Sequence, residues 1–463
     1  MLLVLALLGG AAAVWRFDLV DRWLTSEAPD PITEPAAVPP PEGLDIPGLP
    51  EPGPVAEPVE GGRLIVEAVR RTLAAGLADP DLGRSVHAAV APLTGRAGPS
   101  YSLGTGSFKP ASTMKLLTAA AALAALGPDH RFATRVVARG RSLTLVGGGD
   151  PLLARAPGEP DDQPVHADVQ TLARETAAAL TTRGGTKRPV TLTYDASLFA
   201  GPAESPYWRA DYVPDDIVSP ISALWVDEGI AADASERVAD PAADAGAAFA
   251  AALRKQGVRV QGDPTAGRAP SGARELARVT SPPLSQIAEV VLETSDNEGS
   301  EVLARHVGLA VADDASFAGG ADGVRQTLAA LGVPLKGAVI RDGSGLSRAN
   351  RLRTDTLIGL LRVVASEDHP DLRAALTGLP VAGFTGSLVI RFDDAVPAGV
   401  GRVRAKTGSL TGVRSLAGIA LDRTGTPLAF VLAADRLSLF NTLDAQQDLD
   451  NLAALVGACR CSR

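Results

Sequence analysis

Apolar positions along the chain follow two rhythms. Residues 64–78, "LIVEAVRRTLAAGLA", repeat Leu, Val and Ala at three- and four-residue intervals, which predicts a helix with one buried face. "SVHAAVAPL" (85–93) is a short, nearly continuous apolar run and reads as a strand. The Gly-rich "GRAGPSYSLGTG" after it reads as a hairpin turn leading into a second strand. Residues 112–126 are apolar nearly all round, as expected of a helix buried in a core. "RSLTLVGGGDPLL" (141–153) is a strand running into a glycine turn. Towards the C-terminus, "GRVRAKTGSL" and "VRSLAGIALDRTGTPLAFVLAAD" give three more strands, the last two joined by a turn around Gly425. Strands that adjoin in this way, flanked by helical patterns, predict an α+β fold with an antiparallel sheet packed against helices.

The texture changes twice. Between about 155 and 280, proline-acid loops ("APGEPDDQPV") alternate with helical patches ("VQTLARETAAALTTRG", "AGAAFAAALRKQG") and a short strand in "RPVTLTYDASLF". This stretch reads as a smaller α/β module inserted into the main domain. Ahead of the folded part, residues 27–62 hold eleven prolines, eight acidic residues and no basic one. Such a segment cannot bury a core and predicts an extended, self-repelling spacer. Before it, "MLLVLALLGGAAAVW" is short for a bilayer span but long enough for the apolar part of an export signal. The expected layout is an export signal or membrane anchor over 1–26 and a disordered linker over 27–62. The catalytic domain's first part then covers 63–154, the inserted module 155–280, and the domain's second part 281–463.

Composition narrows the partners. The formal net charge is −9 and the basic residues are scattered, which argues against nucleic acid and against an anionic membrane surface. Two cysteines in "ACRCS" cannot build a disulfide framework, and a bridge between residues two apart is expected to be strained. They read as a terminal, non-catalytic pair. The five histidines are far apart in sequence, and no zinc pattern occurs, so neither a metal nor a cofactor is expected. An export segment followed by a tether predicts an extracytoplasmic protein, secreted or held at a membrane.

Against 38 arginines the chain has six lysines, and two of them stand in short motifs. Ser112-Thr113-Met114-Lys115 is S-x-x-K, Ser295-Asp296-Asn297 is S-x-N, and Lys406-Thr407-Gly408 is K-T-G. Each has a plain structural explanation. Ser112 suits a helix N-cap, Ser295 with Glu298 suits a capping box, and K-T-G suits a turn. In this order and these contexts they form a set that explains the lysines. Residues three apart on a helix share a face, so Lys115 should project beside the Ser112 hydroxyl. Desolvation and a second cation, Lys406, should lower its pKa until it can accept the serine proton, which arginine cannot do.

On these motifs, and on "LVGGGDPLL", "YDASLFAGPAESPYW", "PISALWVDEG", "IRDGSGLSRANRL" and "GFTGSLVIRF", the chain resembles the S13 family of D-alanyl-D-alanine carboxypeptidases and endopeptidases. These are the class C low-molecular-mass penicillin-binding proteins. The 183-residue interval from Ser112 to Ser295 fits that family's long insertion. The resemblance implies a transpeptidase/β-lactamase-like fold and an acyl-enzyme reaction on peptidoglycan stem peptides and crosslinks, blocked covalently by β-lactams. It assigns Ser112 as nucleophile, Lys115 as general base, Ser295 as proton relay to the leaving amine, and Asn297 as a holder of the substrate amide and of Lys115. Lys406 would support the electrostatics and Thr407 would bind the peptide's terminal carboxylate beside Gly408. The backbone N–H groups of Ser112 and Ser409 would form an oxyanion hole. Ser344 is expected to line the cleft. Asp195 is expected either to reach the free amine of a diamino-acid side chain or to be a structural strand-end residue. The sequence is also compatible with a β-lactamase or esterase on the same fold, and with a non-catalytic wall-binding or penicillin-sensing module.

Overall fold

The structure, a computed structural model, describes residues 62–463 apart from 95–97, 160, 182–187, 233–235 and 393–396. The expected export segment and nearly all of the expected linker, residues 1–61, lie outside the described residues.

Ten helices and ten strands follow one another among the described residues. The helices are α1 (Val66–Leu77), α2 (Met114–Leu126), α3 (Val169–Thr181), α4 (Pro241–Lys255) and α5 (Leu284–Thr294), then α6 (Asn297–Ala312), α7 (Phe317–Ala330), α8 (Thr354–Ala365), α9 (Ala374–Thr377) and α10 (Thr442–Ala458). The strands are β1 (Val86–Pro92), β2 (Tyr101–Leu103), β3 (Ala133–Arg139), β4 (Ser142–Val146) and β5 (Thr191–Asp195), then β6 (Thr265–Ala266), β7 (Arg274–Thr280), β8 (Val403–Leu410), β9 (Val413–Leu421) and β10 (Pro427–Asp435).

The main sheet is antiparallel throughout, in the order β2-β1-β10-β9-β8. Its central strands are apolar on both faces because both faces are covered. Leu416, Phe430 and Leu432 pack against α1 and α10, whereas Ala417, Val431 and Ala433 pack against α2 and its neighbours α5 to α8. The two-residue side-chain period thus divides one sheet between two cores. Strand β8 is the outer strand, so the K-T-G segment runs along a sheet edge.

A second sheet, β6-β5-β4-β3-β7, carries α3 and α4 on a separate core. Its β4–β5 and β5–β6 pairs are parallel and the others antiparallel. Strands β3 and β4 lie ahead of residue 155, so this sheet draws on chain from Ala133 to Thr280. Periodicity located the strand at 142–146 but carried no signal for which sheet it joins, because its partner β5 comes 45 or more residues later.

Cys459 and Cys461 are joined in a disulfide with Cα atoms 5.3 Å apart, inside the usual range for a bridge. The chain leaves α10 at Cys459 in extended geometry, which opens that separation. The bridged tail pairs with the start of the domain, Ile65 N donating to Cys461 O and Arg63 N to Arg463 O. Among the described residues no helix is long and apolar enough to cross a membrane.

Candidate active site

Ser112 sits in a single 3-10 turn, Ala111–Thr113, immediately before α2. Ala111 has φ 48°, left-handed for a residue with a Cβ, so the turn is held by its surroundings rather than by preference. The Pro110 carbonyl accepts from the Thr113 and Ser415 hydroxyls, at 2.8 and 2.7 Å. A Cβ on Gly345 would lie 1.9 Å from the Ala111 carbonyl, and one on Gly408 would lie 2.1 Å from Ser415 Oγ and 2.6 Å from the Pro110 carbonyl. Glycine at these two positions allows a loop and the K-T-G strand to close on the serine from two sides.

Lys115, one helical turn on, is fully buried. Its Nζ lies 3.0 Å from Ser112 Oγ, 2.8 Å from Asn297 Oδ1 and 2.9 Å from the Ser344 carbonyl. The last two partners can only accept hydrogen bonds. A neutral amine has two hydrogens to give them and one lone pair left, which faces the serine hydroxyl. Burial pushes the Lys115 pKa down to about 8, against the opposing pull of Asp296, Glu301, Asp342 and Glu298. The sequence reading assigned part of this fall to Lys406. In the structure desolvation carries it and the neighbouring charges oppose it. Lys406, also fully buried, is itself held well below the usual lysine range, first by burial and then by the charges of Lys115 and Arg391. Its Nζ donates to the Thr407 carbonyl at 3.1 Å.

Ser295 and Asn297 come from the break between α5 and α6. Ser295 takes a left-handed conformation (φ 64°) and ends α5, while Asp296 caps α6 by accepting from Gly299 N at 2.9 Å. The capping box expected of Ser295 and Glu298 does not form. Glu298 instead accepts from Ser219 N and pairs with Arg237 at 2.6 Å. An aspartate at the next position outcompeted the serine for the cap and freed it for the cleft. Glu228, Asp296 and Glu298 bring carboxylate oxygens within 4.8 Å of one another. Burial, then mutual repulsion, raises Asp296 to about 7 and Glu228 to about 9.

Ser112, Ser295, Asn297, Thr407 and Ser409 share one cleft of about 480 Å³. Its far wall is a segment of the inserted stretch, with Arg209, Asp211, Tyr212, Asp215 and Ile217. That segment is pinned by Trp208 Nε1 donating to Asp342 and by the buried Arg305, whose guanidinium donates to the Ala200 and Pro202 carbonyls. Asn297 Nδ2 also reaches it, at 3.3 Å from the Ile217 carbonyl, so one amide ties the lysine to the wall. The sequence reading missed these residues. Their only signal was the aromatic and charged run "YWRADY", which starts at the end of the stretch "YDASLFAGPAESPYW" and stops short of "PISALWVDEG".

Two expected site residues fall elsewhere. Ser344 is fully buried and does not line the cleft with its hydroxyl, which accepts from Leu346 N. It serves the site through its carbonyl on Lys115, in a loop fixed by Glu301, which accepts from Gly343 N and Ser344 N at 2.9 and 2.8 Å. Asp195 stands at the end of β5. Its carboxylate accepts from Ser197 N and Ala269 N, and it is not among the residues lining the cleft. Ser197 N belongs to the turn that follows β5, and Ala269 N comes from a segment 74 positions further along the chain.

The sequence profile of the D-Ala-D-Ala carboxypeptidase 3 (S13) family matches residues 69–236 and 230–456. A carboxypeptidase of Mycobacterium tuberculosis is 37% identical over 406 residues, covering 85% of this chain and 84% of the relative. The D-alanyl-D-alanine carboxypeptidase of an Actinomadura strain is 32% identical over 449 residues, covering 79% and 80%. Penicillin-binding protein 4 of Haemophilus influenzae superposes with a TM-score of 0.65 at 22% identity, over 84% of this chain and 99% of that one, which speaks for the fold. The chain belongs to the S13 family of D-Ala-D-Ala carboxypeptidases.

Proposed function

We propose that the chain is a serine D-Ala-D-Ala carboxypeptidase that also cleaves D-Ala–diamino-acid crosslinks, working on peptidoglycan peptides through an acyl-enzyme on Ser112. The observation that carries this reading is the buried amine of Lys115, 3.0 Å from the Ser112 hydroxyl, with its other two partners able only to accept. Family membership supports the reaction class.

In the proposed course, neutral Lys115 takes the Ser112 proton as Oγ attacks the penultimate D-Ala carbonyl. The carbonyl oxygen becomes an alkoxide received by the N–H groups of Ser112 and Ser409, where one donor is typically worth about 3–4 kcal/mol. The C–N bond then breaks, and the proton passes through Ser295 to the departing amine. Water hydrolyses the ester and returns a proton to Ser112. Asn297 and Lys406 hold the charge pattern, and Thr407 takes the terminal carboxylate. Asp195 does not line the cleft, so the acidic wall residues are the groups we assign to a cationic stem-peptide side chain: Asp215, and Asp211, which would share its carboxylate with the guanidinium of Arg209. β-Lactams, which carry a strained amide and a carboxylate, would acylate Ser112 in place of the peptide.

We place the action outside the cytoplasm, in keeping with a family of cell-wall peptidases and with a disulfide between the two cysteines. Residues 1–26 would tether or export the domain, and the linker to residue 62 would set its reach. The test is mass spectrometry of muropeptides after incubation with wild type and Ser112→Ala. Loss of terminal D-Ala and of crosslinks with wild type alone is expected. Unchanged muropeptides with both proteins would remove the enzymatic reading, and rapid turnover of a labelled penicillin would favour a β-lactamase.

A further inference from the structure

Beside the K-T-G strand lies a serine that none of the three motifs contains. Residues 380–382 run along the outer edge of β8, with Ala405 N donating to the Pro380 carbonyl and Ala382 N to the Val403 carbonyl. The chain then turns through the 3-10 segment Gly386–Leu388. Val381 N donates to Thr385 Oγ1 at 3.1 Å, which fixes the entry to the turn. Gly386 has φ 52°, and a Cβ there would lie 2.4 Å from the Glu293 carbonyl, near the end of α5. The turn is therefore wedged between the edge of β8 and the helix that ends at Ser295. This fixes the half-buried Ser387, whose Oγ lies 3.0 Å from Thr407 Oγ1.

Thr407 lines the cleft and is otherwise buried, at 7% exposure. Two hydroxyls joined by one hydrogen bond use one of their two protons on each other. If Ser387 donates, the Thr407 proton is free to point into the cleft. A carboxylate accepts and never donates, so it selects that orientation, and the chain of two bonds strengthens both. A carboxamide presents N–H groups as well and gains less from a donor alone.

We propose that Ser387 is a positioning residue that aims the Thr407 hydroxyl at a carboxylate, making the pair a reader of the peptide's free C-terminus. The inference deepens the carboxypeptidase reading and rests on it. The test compares diacetyl-L-Lys-D-Ala-D-Ala with its C-terminal amide for wild type, Ser387→Ala, Ser387→Thr and Ser387→Asp. Ser387→Ala should lower kcat/KM for the free acid about tenfold, the scale of one hydrogen bond to a charged group, and leave the amide within about twofold. Ser387→Thr keeps the hydroxyl and should restore the preference. Ser387→Asp should depress the free acid further, because its carboxylate takes the Thr407 proton and repels the substrate's. Equal losses on both peptides, or an unchanged ratio in Ser387→Ala, would overturn the proposal. If wild type releases neither D-Ala from the free acid nor D-alaninamide from the amide, it is the carboxypeptidase reading that fails. The same ratio is then read from acylation rates with a fluorescent penicillin and its carboxylate methyl ester.

Discussion

Raising the pH from 7 to 9 should speed acylation of Ser112 about tenfold, and raising it further should add little. The perturbation acts on Lys115, whose pKa burial lowers to about 8. Only the neutral amine can take the serine proton. At pH 7 about a tenth of the molecules carry it, and at pH 9 about nine-tenths do. A lysine at its ordinary value would be neutral in about one molecule in three thousand at pH 7, and the rate would keep climbing past pH 10. The assay is the second-order acylation rate with a fluorescent penicillin, read by quenched-flow from pH 6 to pH 10 at constant ionic strength. Asp296 and Glu301 are raised to about 7 and contribute charge to the same cluster, with Asp342 and Glu298 close by. The measured midpoint therefore belongs to the cluster rather than to one group. Asp296→Asn removes a charge that holds the proton on Lys115 and should move the midpoint to lower pH. A flat profile, or one without a break below pH 10, would refute the assignment of Lys115 as a base poised by burial.

Gly345→Ala should abolish acylation, because its Cβ would meet the Ala111 carbonyl at 1.9 Å from a residue at φ 89°. Peptide turnover and penicillin labelling should be lost together, and retained labelling would mean that the Ser112 turn tolerates displacement. Asp211→Asn combined with Asp215→Asn should lower kcat/KM for stem peptides with a free side-chain amine more than for their N-acetylated forms. An exposed carboxylate contributes modestly, so about three- to tenfold is expected, weaker at high salt. Equal effects on both peptide forms would place amine recognition elsewhere.

Much of the polar cluster at the cleft could be read from local signals, because its spacings are local. Ser112 and Lys115 share one helical turn, and Lys406 to Gly408 share one strand. Scarcity of lysine marked both places. What could not be read is whatever depends on pairing across long sequence gaps. The wall of Arg209 to Ile217 reaches the cleft only because Arg305 and Asp342, about a hundred or more positions away, hold it there. Glu301 shapes the Ser344 carbonyl from another helix, and nothing in "DGSGLS" distinguishes a hydroxyl in the cleft from a carbonyl behind it. Asp195 accepts from an N–H group 74 positions away, a partner that the strand-end motif does not announce. The capping box failed for a related reason, since Asp296 and Ser295 both suit a helix start and packing chose the aspartate.

The account turns on a covalent bond to one hydroxyl. Intact-protein mass spectrometry after brief exposure to benzylpenicillin, followed by peptide mapping, measures that bond directly. A single long-lived adduct on the peptide that carries Ser112, absent from Ser112→Ala and from Lys115→Ala at neutral pH, is the predicted result. An adduct on another residue, or an equally rapid one in Lys115→Ala, would contradict it.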